Sequence, residues 1–528
     1  MPDLYIKNVT VFDGTGAPAF MGDVVCADGR LRLGVPDGPC DVIDGAGLSL
    51  APGFIDTHSH GDSCLGSMHN SLSRVSQGIT TQLTGNCGDS AAVSSEEMVC
   101  EMRSGLTPSP GLDGPEHFAA FGPYLEYARS LPLVENSAFL IGHNNLRRIV
   151  MGYDDRRPTP DELARMQALL RDAMRHGALG LSSGLFYTPG AYADIDEMTA
   201  LCTVVAEYGG VYATHMRGES ETVLDSMREA IETARRSGCQ LIISHLKVCG
   251  RRNHGIAADM LRLIRKARQS GVRVAADQYP YEASATTLLS CIPPWHFTSG
   301  NDALVRSLRT PDARRIIRRE IEEDAGGFEN LVCGCGGFEG VRIAAAPRTP
   351  EVLGKSIADI ARERGADPFD TMFDLLVQND GDVQAIYFDI GEPDLMTILS
   401  DPTIMVGTDG VAVTPDALCH PRAFGSFTRA LGHYGRDRGL LPMPAMIRKM
   451  TGLPATVLGL SHKGRIADGF DADLVLFDAA AVCDRATFAD PHQVSAGIEA
   501  VIIGGEIVYR GGALTGRTPG RLLLRGRV

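Results

Sequence analysis

Short apolar segments alternate with helix-like segments from about residue 54 to residue 410, and this alternation constrains the fold most strongly. One helix is well marked in TPDELARMQALLRDAMRHG, where Thr159 and Glu162 form a capping box and Gly177 ends the helix. Strands that alternate with helices predict βα units and a parallel sheet. Because there are eight candidate strands, a (β/α)8 barrel of the TIM type is favoured over an open doubly wound sheet. The strands are expected near Phe54, Ile79, Ala138, Leu179, Val211, Leu241, Val272 and Ile404.

The two ends of the chain differ from its middle. Segments such as DLYIKNVTVFDG, ADLVLFD and GRLLLRGRV are typical of strands without intervening helices. We therefore expect residues 1–50 and 465–528 to form one small β-sandwich beside a barrel of residues 51–464. The stretch between the seventh and eighth strands is far too long for one helix, and residues from about 287 to 345 are interpreted as a lid-like insertion. Cys333 and Cys335 within it are expected to serve only loop packing.

Bulk properties argue against several classes of protein. The formal charge is −15 and no basic block stands out, so neither a nucleic-acid nor an anionic-membrane partner is expected. No apolar run approaches ~18 residues, and the N-terminus lacks a secretory pattern, which predicts a cytoplasmic protein. The 13 cysteines show no disulfide framework and are expected to be reduced. No particular oligomeric state is predicted.

Polar side chains follow most of the predicted strands. His58 and His60 leave the first strand side by side, because residues i and i+2 of a strand point the same way. His215 and His245 are one βα unit apart and should occupy equivalent places on adjacent strands. Imidazole, thiolate and carboxylate groups are the ligands that Zn²⁺ prefers. The strand ends therefore predict one zinc site, built from His58, His60, Cys87, His215, His245 and Asp409.

Each of these residues also has a simpler explanation when taken alone. A histidine at a strand end is more often a hydrogen-bonded structural residue, and Cys87 could be a small buried hydrophobe. Asp409, next to Gly410, could cap a turn. The coincidence of these residues at the ends of different strands favours the metal site.

Several blocks of the sequence resemble the N-acyl-D-amino-acid deacylases (D-aminoacylases) of the amidohydrolase superfamily. They include PGFIDTHSHGD, VSQGITTQLTGNCG, GHNNLR, GLSSGLFYTPG, THMRGE, SHLK, GTDG, CHPRAFG and GRIADGFDADLVLFD. The resemblance covers nearly the whole chain. It implies zinc-dependent hydrolysis of a linear amide, of the EC 3.5.1 type, which releases a carboxylate and a D-amino acid. The preference for the D-form rests on this resemblance alone.

The resemblance also implies roles for individual residues. Cys87, His215 and His245 would hold a tightly bound zinc, whereas His58, His60 and Asp409 would border a second, weaker metal position. Asp409 is the natural general base. Lys247 and Tyr281 would bind the substrate α-carboxylate, and Tyr187 is a candidate donor to the scissile carbonyl. His143 and Arg147 would support the ligands through hydrogen bonds.

Two positions depart from the family pattern. Leu246 stands where relatives commonly have histidine, and Asp89 stands where an uncharged residue is expected. Both are expected near the barrel mouth, where they would affect the choice of substrate. Arg251, Arg252 and Arg342 are candidate partners for an acidic substrate side chain.

Two alternative functions stay open at this stage. Cyclic-amide hydrolases of the hydantoinase and dihydroorotase type use similar ligands, but they carry a carboxylated lysine at the fourth strand. The segment GALGLSSGLFY has no lysine, and Cys87 would take the bridging role. A non-catalytic scaffold related to these enzymes is the second alternative, although retention of all six candidate ligands argues against it.

Overall fold

The computed structural model describes residues 3–96, 98, 117–324, 326–411, 414–415 and 417–526. Eight parallel strands form one sheet in chain order, and we number them one to eight. A parallel bridge between Ser59 and Gly410 joins the first strand to the eighth and closes the sheet. The predicted (β/α)8 barrel is confirmed. Its strands are Phe54–Asp56, Ile79–Thr84, Asn136–Gly142, Gly180–Gly184, Val211–His215, Gln240–Ile243, Val274–Gln278 and Ile404–Val406.

Alternate residues of the barrel strands face two different apolar cores. Ile55, Leu83 and Ile242 fill the barrel interior, whereas Leu181 and Leu241 pack against the surrounding helices. This division follows from the two-residue period of a strand. The interior is apolar below the strand ends, so the polar side chains that follow the strands collect at the mouth.

The helices of the barrel follow the predicted pattern. In Pro160–His176, Thr159 Oγ1 accepts from Glu162 N at 3.3 Å, and Glu162 Oε2 accepts from Thr159 N at 2.8 Å. Among the described residues, no helix is both long and apolar enough to cross a membrane. The barrel helices are Met68–Val75, Phe121–Ser130, His143–Met151, Pro160–His176, Ile195–Glu207, Val223–Ser237, Ala257–Gln269, Glu392–Leu399, Arg422–Arg429 with its π-helical continuation Ala430–Asp437, Met443–Met450 and Gly452–Leu458.

The insertion after the seventh strand is longer than the predicted 287–345. It carries a three-stranded antiparallel sheet in which Gln384–Tyr387 lies between Ser284–Thr287 and Val341–Ala345. Because the middle strand comes last in the chain, the insertion extends at least to Tyr387. Its own apolar core includes Cys335, and Cys333 is half-buried beside it. Its helices are Asn301–Ser307, Pro311–Glu322, Leu331–Gly334, Ile357–Arg364 and Pro368–Gln378.

Strands from both ends of the chain share a second, nine-stranded sheet. The link between the two ends is the antiparallel pair Ser49–Pro52 and Leu474–Phe477. Val9, Val24 and Ile502 belong to one apolar cluster, so strands from both ends pack on a common core. The strands are Asp3–Val11, Phe20–Ala27, Arg30–Leu33, Cys40–Asp44, Ser49–Pro52, Leu474–Phe477, Ile498–Ile503, Glu506–Arg510 and Ala513–Leu514.

Residues 520–526 of the segment GRLLLRGRV do not join this sheet, contrary to the expectation from its sequence. Residues 520–525 run beneath the barrel, where Leu523 N donates to Ser137 O at 2.8 Å and Arg525 N donates to Gly177 O at 2.9 Å. Leu523 packs into the barrel interior and Leu524 packs among the helices. Consecutive leucines suit this place, because the segment is covered by apolar groups on two sides.

Candidate metal and active site

The six predicted metal ligands converge at the mouth of the barrel. Their ligand atoms form two groups, each with all atoms within 4.8 Å of one another. Cys87 belongs to both groups. His60 has a side chain that is 24% exposed, whereas the other five ligands are buried. The first group is His58, His60, Cys87 and Asp409, and the second is Cys87, His215 and His245.

Cys87 lies at the centre of this cluster. Its Sγ is 3.3 Å from Nε2 of His58 and 3.3 Å from Nε2 of His245. The loop that carries it is tightly held, because Asn144 N donates to Gly88 O at 2.9 Å. A Cβ on Gly88 would lie 2.6 Å from Gly184 N, so only glycine fits there. Burial raises the pKa of the Cys87 thiol well above its usual value, so a bound cation is needed to hold it as a thiolate.

Asp409 follows the eighth strand and faces two of the histidines. Its Oδ1 lies 3.2 Å from His60 Nε2 and 3.4 Å from His58 Nε2. Its Oδ2 lies 2.9 Å from Nη1 of Arg422, a buried residue that the sequence analysis missed. Burial alone would raise the pKa of Asp409, but Arg422 and the neighbouring histidines hold it well below its usual range. Asp409 is therefore an ionised carboxylate.

Glu219 connects the second ligand group to Lys247. Its Oε1 lies 3.0 Å from His245 Nδ1, and its Oε2 lies 2.5 Å from Lys247 Nζ and 3.5 Å from His215 Nε2. Burial would lower the pKa of Lys247, yet Glu219 raises it well above its usual value. Lys247 is thus a buried cation beside the metal ligands. Sequence reasoning missed Glu219, although the acid four residues after His215 was a visible signal.

Two further carboxylates, also missed, fix the strand ends. Asp277 Oδ1 accepts from His245 N at 2.6 Å and lies 3.7 Å from His58 Nδ1. Asp56 accepts from Thr408 N at 2.9 Å and from His58 N at 3.1 Å. Burial raises the pKa of Asp277 to about 7 and that of Asp56 to about 6. Burial also lowers the pKa of His58 well below its usual value, which keeps the ring neutral and able to bind a metal.

The tyrosine beside Lys247 is Tyr279 and not the predicted Tyr281. The Tyr279 ring lies 5.8 Å from Lys247 Nζ and 4.6 Å from Arg422 Cζ. Its buried hydroxyl has no hydrogen-bond partner among the described residues. Tyr281 instead points its hydroxyl towards Pro421 O and Asp484 Oδ2, at 3.4 Å from each. A bend at Pro280 separates the two tyrosines, so their rings lie in different surroundings.

Tyr187 lies where the sequence predicted. Its ring centroid is 5.0 Å from that of His215, and its hydroxyl is 3.0 Å from Thr286 Oγ1 of the insertion. Burial raises the pKa of its phenol well above its usual value, so it is a neutral donor. Tyr187 therefore stands between the metal ligands and the insertion.

His143 and Arg147 form a separate buried cluster. His143 Nε2 is 2.8 Å from Glu197 Oε1, and Arg147 pairs with the other oxygen of Glu197. These contacts tie two barrel helices together, and neither residue has a recorded contact with a metal ligand in the described structure. Their neighbour Asn145 supports the Cys87 loop instead, since its Nδ2 donates to Ser90 O at 2.8 Å and to Val93 O at 2.9 Å.

The two departures from the family pattern lie in different places. Leu246 is fully buried among the barrel helices, because it alternates with His245 and Lys247, and so it is not at the mouth. Asp89 is half-buried beside the Cys87 loop, where burial raises its pKa and Arg148 opposes that rise.

Two of the three candidate arginines for an acidic substrate have partners outside the ligand cluster. Arg252 is exposed and pairs with Asp324 at 3.3 Å, and Arg251 is also exposed. Arg342 lies over the ring of Phe388, with Cζ 5.0 Å from the ring centroid. None of them has a recorded contact with a ligand residue in the described part of the chain.

The donor set fits a metal centre. Four imidazoles, a thiol and an ionised carboxylate meet in a closed, mostly buried space. Nδ1 of His58 and Oε1 of Glu219 have no hydrogen bond within the described structure, although each faces a charged or titratable neighbour. Mixed imidazole, thiolate and carboxylate ligands suit zinc and related divalent metals. A cation held by these side chains would balance the buried negative charge of Asp409 and of the Cys87 thiolate.

Fold and ligand set together define a metal-binding hydrolase barrel. The chain belongs to the amidohydrolase family, because the model of that family matches residues 41–509. It is 35% identical to a D-aminoacylase of Alcaligenes xylosoxydans xylosoxydans, over 99% of this chain and 98% of that protein. The resemblance to the D-aminoacylases is thus confirmed across nearly the whole chain.

Solved structures agree with this assignment. An N-acyl-D-glutamate deacylase from Bordetella bronchiseptica, in complex with zinc and a phosphonate mimic of the tetrahedral intermediate, superposes with a TM-score of 0.82. It is 32% identical and the match covers 99% of both chains. A D-hydantoinase with a TM-score of 0.55 and 15% identity, covering 99% of both chains, shares the fold alone.

Proposed function

We propose that this protein hydrolyses the amide bond of N-acyl-D-amino acids and releases a carboxylate and a D-amino acid. The observation that carries the proposal is the buried ligand cluster centred on Cys87, with the cation Lys247 beside it. The D-aminoacylase and the N-acyl-D-glutamate deacylase, similar in sequence or structure over nearly their whole lengths, support the substrate class.

Zinc is the metal that fits the donor set best. Cys87, His215 and His245 would hold one ion tightly, and His58, His60 and Asp409 would border a second, weaker position that shares Cys87. The chemistry that zinc supplies when bound is the activation of a water molecule and the polarisation of the substrate carbonyl.

Asp409 would act as the general base. Its Oδ2 is held by Arg422, so Oδ1 is the oxygen that faces the ligand cluster and can take a proton from the attacking water. Once protonated, Asp409 can pass that proton to the departing amide nitrogen. The low pKa of Asp409 keeps it ionised before each turnover.

Lys247 and Tyr279 would bind the α-carboxylate of the substrate. Lys247 is a buried cation whose pKa is high, and the Tyr279 hydroxyl beside it has a free donor. A charge-assisted hydrogen bond in such a buried place contributes about 1.5–3 kcal/mol. Tyr187 would donate to the carbonyl oxygen as negative charge develops there. His143 and Arg147 would support the mouth only by holding its helices.

The alternatives have less support. A cyclic-amide hydrolase would need the lysine that the fourth strand, Gly180–Gly184, does not contain. A non-catalytic scaffold has no reason to keep all six ligands within one buried cluster. The cytoplasmic location and the lack of a nucleic-acid partner stay predictions.

The test is the release of amine from paired N-acetyl-D- and N-acetyl-L-amino acids with neutral, acidic and basic side chains, with zinc supplied. Hydrolysis confined to the D-forms is the expected result. If folded, zinc-loaded protein hydrolyses none of them, the proposal fails and cyclic amides become the next substrates to try.

A further inference from the structure

Glu329 reaches from the insertion into the barrel mouth. It lies just before the short helix Leu331–Gly334, and it is buried. Its Oε2 accepts a hydrogen bond from the backbone N of Glu219 at 2.6 Å. The contact joins the insertion to the turn that follows the fifth strand, two segments far apart in the sequence.

Glu219 is held from several sides. Its carbonyl oxygen accepts from Cys249 N at 2.8 Å, and the preceding residue, Gly218, donates its N–H to Ser226 Oγ at 3.0 Å. The backbone of Glu219 is therefore held on both sides of its side chain. Its N–H donates to Glu329, and its carbonyl oxygen accepts from Cys249. The carboxylate can then keep one oxygen near His245 Nδ1 and the other on Lys247 Nζ.

The orientation of the His245 ring depends on the pair that this carboxylate forms with Lys247, because Lys247 Nζ lies 2.8 Å and Glu219 Oε1 lies 3.0 Å from His245 Nδ1. Nδ1 faces Glu219, so Nε2 is turned towards Cys87 Sγ, 3.3 Å away. A carboxylate on the second nitrogen of a metal-binding histidine fixes the ring and its tautomer, and its removal typically costs about 10–100-fold in metal affinity or activity.

We propose that Glu329 is a positioning residue for the metal centre, acting through the Glu219 backbone to hold the His245 ring and Lys247 in place. The inserted segment thereby helps to build the site. The inference rests on the proposed metal site and deepens it, since neither the ligand set nor the family resemblance assigns a role to Glu329.

The hydrogen bond and not the negative charge should carry this role. Burial, and the nearby charge of Glu219, raise the pKa of Glu329 to about 8, so at neutral pH its carboxyl is mostly uncharged. Glutamine keeps an acceptor oxygen of the same reach, whereas methionine has a similar length and lacks that acceptor. The two substitutions therefore separate the hydrogen bond from mere packing.

The experiment measures zinc affinity by competition with a chromophoric chelator, for the full chain and for Glu329→Met, Glu329→Gln and Glu322→Ala. Glu322 belongs to the same insertion, but it is exposed and pairs only with Arg318 among its recorded ionic contacts. We expect Glu329→Met to bind zinc about tenfold more weakly. Glu329→Gln and Glu322→Ala should match the unmodified protein.

A second variant shows whether Glu329 acts through Glu219. In a Glu219→Gln background, Glu329→Met should cause little further loss of zinc affinity, because residues that act through one contact are not additive. Thermal unfolding of each variant identifies any that does not fold. If Glu329→Met does not fold, Glu329→Gln and the smaller Glu329→Ala take its place in the comparison.

The outcomes are distinct. Unchanged zinc affinity in folded Glu329→Met overturns the inference, and so does an equal loss in Glu329→Gln, which would assign the effect to charge. If the unmodified protein binds zinc but hydrolyses no N-acyl amino acid, the substrate proposal fails while the affinity comparison still decides the role of Glu329. A protein that binds no zinc overturns both.

Discussion

Arg422 and Asp409 form a buried ion pair across the barrel mouth, with Nη1 2.9 Å from Oδ2. The pair assigns different tasks to the two oxygens of one carboxylate. Oδ2 faces the guanidinium, and Oδ1 faces His58 and His60. Arg422 also extends Nη2 to Ala285 O of the insertion at 3.2 Å, so its own position is fixed.

Replacing Arg422 by glutamine should change the pH dependence of hydrolysis. Arg422 favours the ionised form of Asp409, so its removal raises the pKa of that carboxyl. When the solution is acidified, Asp409 therefore becomes protonated, and stops acting as a base, at a higher pH. We expect the acidic limb of the kcat/KM profile to move upward by about 1–3 pH units. An unmoved limb in folded Arg422→Gln would show that Arg422 does not set this pKa.

Asp409→Asn should abolish most turnover without unfolding the chain. The amide cannot take a proton, and a positioned general base typically contributes about 10²–10⁴-fold to the rate. The measurement is kcat under saturating substrate, with thermal unfolding as the control for folding. Activity close to that of the unmodified protein would exclude Asp409 as the base.

Cys87→Ser should lose bound metal, because one sulfur serves both ligand groups. The hydroxyl of serine is a poorer zinc ligand than a thiolate. Metal content after dialysis is the readout, and Cys40→Ser is the matched control, since Cys40 lies in a strand of the nine-stranded sheet. Equal zinc content in the two variants would contradict a ligand role for Cys87.

Lys247→Met should weaken substrate binding through the α-carboxylate. Loss of a charge-assisted hydrogen bond of about 1.5–3 kcal/mol corresponds to a rise in KM of about 10–150-fold. The decisive comparison uses an N-acyl amine that has the same side chain and no carboxylate. The variant and the unmodified protein should differ little on that analogue, whereas an equal loss on both substrates would point to damage at the metal site.

Leu523→Ala should destabilise the barrel although Leu523 is far from the mouth. Leu523 packs into the barrel interior, and truncating a buried leucine costs about 2–5 kcal/mol. Denaturant unfolding measures the loss, and Leu33→Ala, at a side chain that is 43% exposed, serves as the control. Equal stability of the two variants would mean that residues 520–525 are not part of the barrel core.

The sequence was sufficient for the barrel and for its six candidate ligands, because both follow from local patterns. A strand shows its two-residue period, and the residue after a strand reaches the mouth. Glu219 and Arg422 were missed for a different reason, since a charged residue in a loop does not reveal which partner it turns towards. Tyr279 and Tyr281 are equally polar in the sequence, and only the course of the chain separates them.

The end of the insertion could not be predicted from local signals either. Gln384–Tyr387 is the last of three strands in the chain and the middle one in space, and no local pattern encodes that order. The prediction that Leu246 lies at the mouth was wrong. Its neighbours His245 and Lys247 lie there, but the alternation of side chains turns Leu246 to the opposite side. Long-range order of this kind depends on packing between segments.

The pair of strands that joins the two ends of the chain has a consequence for folding. Ser49–Pro52 cannot pair with Leu474–Phe477 until that strand has been synthesised, and almost the whole barrel sequence lies between the two. Contacts so distant along the chain form late, because the entropy of closing a long loop is lost before the contact compensates for it. The N-terminal strands can pair with one another meanwhile, but one edge of Ser49–Pro52 stays without its partner while the barrel is synthesised. During that interval the unpaired edge is open to pairing with a neighbouring chain.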